Sequence, residues 1–119
     1  MSKTKLIFNN KQTTETGILT LDDSIEKYKF INIVYSFSTD ANGVSSIKST
    51  VFNTEFLKKH YNSGLTLHIT GINENMNITT SEHLYIRFIS RTQIKIEENR
   101  TTNNAILSNN KIYQIYAWN

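Results

Sequence analysis

Histidine is where a metal site or a proton relay would first be sought, and the chain has three: His60, His68 and His83. None has a second histidine four residues on, the spacing that sets two ligands on one helix face. His68 and His83 fall in segments that read as strands and could face each other across a sheet. No carboxylate lies near them in the pattern to complete a zinc site. With no cysteine in the chain, disulfides, thiol nucleophiles and thiolate ligands are excluded together. No metal site and no cofactor is expected.

Carboxylates are the next candidates. Asp22-Asp23 and Glu97-Glu98 are adjacent pairs. A glycosidase sets two such groups about 5–10 Å apart across a cleft. Asp22-Asp23 sits at a turn, where capping accounts for it, and Glu97-Glu98 sits at a strand end. No serine stands in a Gly-x-Ser-x-Gly elbow. The four glycines are isolated, so no loop cradles a phosphate. Asn77-Ile-Thr79 and Asn99-Arg-Thr101 match the glycosylation pattern, which an Asn- and Thr-rich chain meets by chance. The chain is therefore not expected to be an enzyme.

What remains is aromatic. Tyr85 and Arg87 alternate with Leu84, Ile86 and Phe88, so they occupy the opposite strand face. Tyr113, Tyr116 and Trp118 crowd the last strand. Exposed Tyr, Trp and Arg are typical of interfaces, and aromatic faces with Asn neighbours suit sugars. Tyr85, Arg87, Tyr116 and Trp118 are the binding candidates. Core packing is the favoured reading for Tyr113 and Trp118.

The elements that must carry these residues are nearly all strands. Phe30 to Phe37 alternates, with Ile31, Ile33, Tyr35 and Phe37 on one face and Asn32, Val34 and Ser36 on the other. Asp40-Ala-Asn-Gly43 predicts a hairpin turn, with the return strand over Val44 to Phe52. A hairpin is predicted from His83 to Glu97 about Ser90-Arg91, with Ile94 and Ile96 aligned on its second strand. Further strands are read at Lys3–Phe8 (or an arm on a partner), Ile18–Leu21, Leu65–Thr70, Ala105–Leu107 and Lys111–Trp118. Asn53 or Thr54 caps the one plausible helix, Glu55 to Tyr61, which Asn62-Ser63-Gly64 would end. Ile72 to Thr80 reads as a loop or a ragged edge strand. Asn73–Ser81 and Glu98–Asn104 are candidate binding loops, because rigid sandwiches carry binding on loops.

Short strands at near-regular spacing with almost no helix argue an all-β fold, a single antiparallel β-sandwich with at most one short helix. Residues 1–16 form an N-terminal strand or arm, and residues 17–119 the sandwich. At 38% hydrophobic content one core is available but not a thick one, and such a chain gains stability by burying surface in an oligomer. The net charge is +3, and the lysines are scattered apart from Lys58-Lys59-His60. A nucleic-acid binder concentrates its basic residues and interleaves aromatics, so nucleic acid is not expected as a partner. No apolar run reaches membrane-spanning length, and the N-terminus lacks the apolar stretch of a signal peptide.

The segment Gly17-Ile-Leu-Thr-Leu-Asp-Asp-Ser-Ile, followed by Tyr28-Lys-Phe-Ile-Asn-Ile-Val-Tyr, resembles the opening of the β-sandwich head domains of bacteriophage tail-fibre and receptor-binding proteins. Leu84-Tyr-Ile-Arg-Phe, Ile94-Lys-Ile and the closing Ile112-Tyr-Gln-Ile-Tyr-Ala-Trp118 resemble that family's last strands. The likeness runs over about residues 15–119. It implies a homo-oligomer, commonly a trimer, that contacts a host surface receptor such as a cell-surface glycan. It implies a place in the virion tail, or in the host cytoplasm during assembly. It supplies no catalytic residue. A fibre carries a long shaft before its head, where this chain has only a short segment, so it reads either as an excised head or as a small free-standing relative. The alternative is therefore a small prophage protein that forms a symmetric ring with a lysis or membrane-associated role. Contact with a membrane is left open.

Overall fold

The computed structural model describes residues 3–10, 17–37, 46–72, 78–101 and 111–119. Among these residues, eight strands form two antiparallel four-stranded sheets packed as a sandwich. In chain order they are β1 (Lys5–Asn9), β2 (Gly17–Thr20), β3 (Phe30–Phe37), β4 (Ser46–Asn53), β5 (Leu65–Ile72), β6 (Ile78–Ser90), β7 (Gln93–Thr101) and β8 (Lys111–Trp118). The first sheet runs β1-β8-β3-β4 and the second β2-β7-β6-β5. A 3-10 turn covers Ile25–Lys27, and the helix α1 is Thr54–Lys58.

The interior follows from strand alternation. Ile31, Ile33 and Tyr35 of β3 face Leu84, Ile86 and Phe88 of β6 and Ile94 and Ile96 of β7, all buried. β1 adds Ile7 and Phe8, and β8 adds Ile112, Ile115 and Ala117. The segment set apart in the sequence as 1–16 thus holds a strand built into the first sheet, paired with β8. Thr50 points inward from β4, and its hydroxyl is 3.0 Å from that of Tyr35, so the ring is buried without stranding its polar end.

The segment after β2 carries the chain from one sheet to the other, and the resemblance motif lies there. Leu21 N–H donates to the Thr92 carbonyl of the second sheet, and Asp22 N–H to the Ile7 carbonyl of the first. Ile25 N–H then returns to Arg91 O at 3.0 Å. Leu19, Leu21 and Ile25 are buried, while Ser24 caps the 3-10 turn through Glu26 N–H at 3.1 Å. Asp23 ties the corner together. Its carboxylate accepts from Tyr28 Oη at 2.8 Å and from Ser24 N–H at 2.8 Å. It also pairs with Lys5 at 3.1 Å and Lys27 at 3.0 Å. These partners, the Lys27 ammonium foremost, hold its carboxyl well below the ordinary carboxylate range.

Two differences from the sequence reading have physical causes. The strands β6 and β7 extend past the predicted hairpin, so Ile78–Ser81 and Glu98–Thr101 lie in strands and not in loops. Backbone pairing such as His83↔Arg100 and Gly71↔Thr80 supplies the ladder where side chains lack alternation. The helix is shorter than predicted. Asn53 caps it, accepting from Glu55 N–H at 2.8 Å, and Asn62 turns the chain with φ 68°. Ile47 and Val51 of β4 face outward, because their register partners Ser36 and Asn32 belong to the outer row of β3. The Asp40–Gly43 turn and the Ala105–Leu107 strand lie outside the described residues.

Two outcomes are expected. Ile86→Ala leaves a cavity in the densest part of the interior and lowers stability by about 2–5 kcal/mol, read as a lower urea midpoint with unchanged slope. The carboxyl of Asp23 titrates lower folded than unfolded, so its contribution is present above the unfolded value, about pH 4, and fades as pH falls below it. Asp23→Asn therefore flattens the acid limb of the stability profile between about pH 4 and pH 2 in chemical denaturation.

Candidate functional site

The four candidate residues fall on opposite sides of the molecule. Tyr85 and Arg87 stand on the outer face of the second sheet, whereas Tyr116 and Trp118 stand on the outer face of the first. They make two surfaces and not one site.

Around Arg87 the second sheet's face is polar and braced. Arg87 Nη2 donates to Glu97 Oε2 at 3.0 Å, and Nε lies 2.9 Å from Glu97 Oε1. The guanidinium thus lies against both carboxylate oxygens, hydrogen-bonded through Nη2, while buried Nε is close to Oε1 without an aligned hydrogen bond. Nη1 donates to the Asn62 carbonyl at 2.9 Å. Lys95, the register partner of Arg87, adds a second cation 3.8 Å from Glu97 Oε1. Glu97 belongs to an irregularity between Tyr85 and Ile86 in the β6–β7 ladder, which swings its carboxylate outward beside Arg87.

Tyr85 is half-buried one step along β6, about 7 Å from Arg87 on the same face. Its hydroxyl end lies against the backbone of Gly64, where any Cβ would overlap it. A side chain at 64 would push the end of the ring aside, so glycine lets the ring lie over the strand that follows α1. Gly64 and Asn62 were not among the sequence candidates, and Glu97 was weighed only as half of a carboxylate pair. The one available signal was the Asn62-Ser63-Gly64 turn, which the sequence assigned to ending the helix.

On the same face His68 of β5 and His83 of β6 are directly opposite in register, as the alternation suggested. Among the described residues, no group of three or more His, Cys, Asp or Glu is placed to hold a metal ion.

The first sheet's outer face is built differently. Trp118 stacks on Phe30, with ring centres 5.8 Å apart and planes at 27°. Tyr116 Oη donates to Gln114 Oε1 at 2.9 Å. Trp118 is half-buried and Tyr113 is 36% exposed, so neither is in the core, contrary to the favoured reading. The cause is an extra residue in β8 between the register pairs Ile112↔Tyr35 and Gln114↔Val34. It shifts the inward set from Ile112 to Ile115 and Ala117. Tyr113 instead lies under the Lys111 ammonium, 4.9 Å from its ring centre.

A shallow cleft at the corner between sheets is lined by Asp22, Asp23, Glu26, Lys27 and Arg91. Two of its carboxylates are occupied, since Asp23 has the partners described above and Glu26 accepts from Tyr61 Oη at 2.8 Å. A carboxyl held ionised as strongly as Asp23 is a poor proton donor at neutral pH.

Replacement of Arg87 by lysine removes the contact with both carboxylate oxygens and the bond to Asn62. It lowers stability by about 1 kcal/mol in urea titration, with Arg87→Ala no less destabilising.

No family model matches the chain, and no curated protein matches it.

Proposed function

We propose that the chain is a binding module of the phage tail-fibre head type, which recognises a cell-surface glycan through the outer face of its second sheet. The observation that carries this reading is Tyr85, half-exposed on a flat sheet face beside a fixed Arg87–Glu97 pair. A sugar ring has an apolar C–H face and a rim of hydroxyls. The Tyr85 ring suits the first, and a guanidinium and a carboxylate held side by side suit the second as donor and acceptor. The Glu97 and Asn62 contacts hold Arg87 in one orientation before ligand arrives, which reduces the ordering cost of binding. The shape is open and shallow, so a single site is weak and useful binding comes from several copies engaged at once. Self-association of the module is therefore part of the proposal.

The resemblance of Gly17–Tyr35 to tail-fibre heads supports the same reading from a different part of the chain. That segment forms the corner and the central strand of the sandwich. It bears on the kind of module, while the Tyr85 face bears on what is bound.

Immobilised glycans from bacterial envelopes, presented to the protein on an array, test this directly. Wild-type protein is expected to adsorb to at least one class, and Tyr85→Ala to weaken that adsorption about tenfold or more. Gly64→Ala, which displaces the ring without removing it, is expected to weaken binding while the fold stays intact by circular dichroism. Failure of the wild-type protein to bind any envelope polysaccharide, or full binding by Tyr85→Ala, would sink the reading.

A further inference from the structure

The outer face of the first sheet carries an uncharged surface of a kind the second sheet lacks. Register places Leu6, Tyr116, Asn32 and Val51 in one row across all four strands. The neighbouring row is Trp118, Phe30 and Asn53, and the row on the other side is Asn9, Gln114, Val34 and Ser49. None of these residues is charged. Lys111 stands in the row beyond, opposite Ser36, at the far end of the sheet. Val51 is 54% exposed, Ile47 67% and Leu6 38%. In a chain of net charge +3, three consecutive rows without a charge set this face apart from the one bearing Arg87, Lys95 and Glu97.

We propose that this face is where a second copy of the chain docks. Around a rotation axis, residues near the axis meet their own copies. A charged residue there would face its like, so a surface that binds itself must be close to neutral at its centre. The three rows satisfy this and the second sheet's face does not.

Asn32, in the central row, is half-buried. A carboxamide carries both donors and an acceptor, so it is a polar side chain that tolerates its own copy across an axis. The neighbouring polar groups are turned to one another. Tyr116 Oη donates to Gln114, whose Nε2 is 3.5 Å from Asn9 Oδ1.

Three strands of eight residues and one of five present a footprint of roughly 470 Å². Two such faces cover roughly 900 Å², the scale of a weak, concentration-dependent contact.

The experiment is sedimentation equilibrium on the whole chain, with Val51→Lys as the variant. Val51 is exposed on the edge strand β4, where lysine is well tolerated, and circular dichroism checks that the variant is folded. The wild type is expected to associate at about 100 µM. Val51→Lys, which sets like charges together at every copy of the contact, is expected to weaken association about a hundredfold. Lys95→Glu, on the opposite face, is expected to leave it unchanged.

A wild type that stays monomeric at that concentration overturns the inference, as does a Val51→Lys variant that associates undiminished. Association lost in Lys95→Glu and kept in Val51→Lys would place the contact on the other sheet and overturn it too. The inference is separable from the glycan proposal. A monomer that binds glycan contradicts the docking face and the self-association assumed above but leaves the glycan face standing, and an oligomer that binds none contradicts the glycan face alone.

Discussion

Strands of both sheets, edges included, must fill one interior that the sheets share. Ile31, Ile33 and Tyr35 from one sheet and Leu84, Ile86, Phe88, Ile94 and Ile96 from the other are at most 1% exposed. Because strand side chains alternate, committing those residues inward fixes which residues are left outward. The two outer faces are therefore a by-product of the interior, but their contents are free to differ. One holds a braced arginine, a lysine and a glutamate. The other holds a tryptophan, a phenylalanine, aliphatic residues and amides.

Keeping two sheets in register over that interior requires joints where the chain crosses between them. The corner at Leu21–Ile25 is the best defined. Its backbone donates to both sheets, and its Asp23 gathers Lys5, Lys27, Tyr28 and Ser24 around one carboxylate. A second joint runs through α1, where buried Thr54 donates to the Tyr28 carbonyl and its N–H to Lys29 O. A third closes the open side of the sandwich. Lys48, which shares the inward row of edge strand β4 with Tyr35's partners, reaches the His68 carbonyl on edge strand β5 at 3.0 Å. An inward lysine on an edge strand also discourages stray strand addition.

Legibility in the sequence tracked how strongly a residue's neighbours along the chain determine its place. The rows Ile31-Ile33-Tyr35 and Leu84-Ile86-Phe88 were readable because period-two alternation is a local property, and with them the all-β sandwich. So were the outward placement of Tyr85 and Arg87 and the pairing of His68 with His83. What was not readable depends on partners far away in sequence. The extra residue in β8 that turns Tyr113 outward exists only in the ladder with β3. The extension of β6 and β7 through Asn- and Thr-rich stretches comes from backbone pairing, which leaves no apolar pattern. The division of Tyr85 and Arg87 from Tyr116 and Trp118 onto opposite faces requires knowing which strands share a sheet. Gly64 and Asn62, read only as the end of a helix, also seat the ring of Tyr85 and the guanidinium of Arg87.

The central claim is that the two outer faces do different work, with the polar face meeting ligand and the neutral face meeting another copy. An amide and side-chain NMR titration of the whole chain with an envelope oligosaccharide tests it most directly. The account predicts shifts concentrated at Tyr85, Arg87, Lys95 and Thr66 on β5, β6 and β7, with Asn32, Tyr116 and Trp118 unmoved. Shifts centred on Tyr116 and Trp118 instead would contradict it.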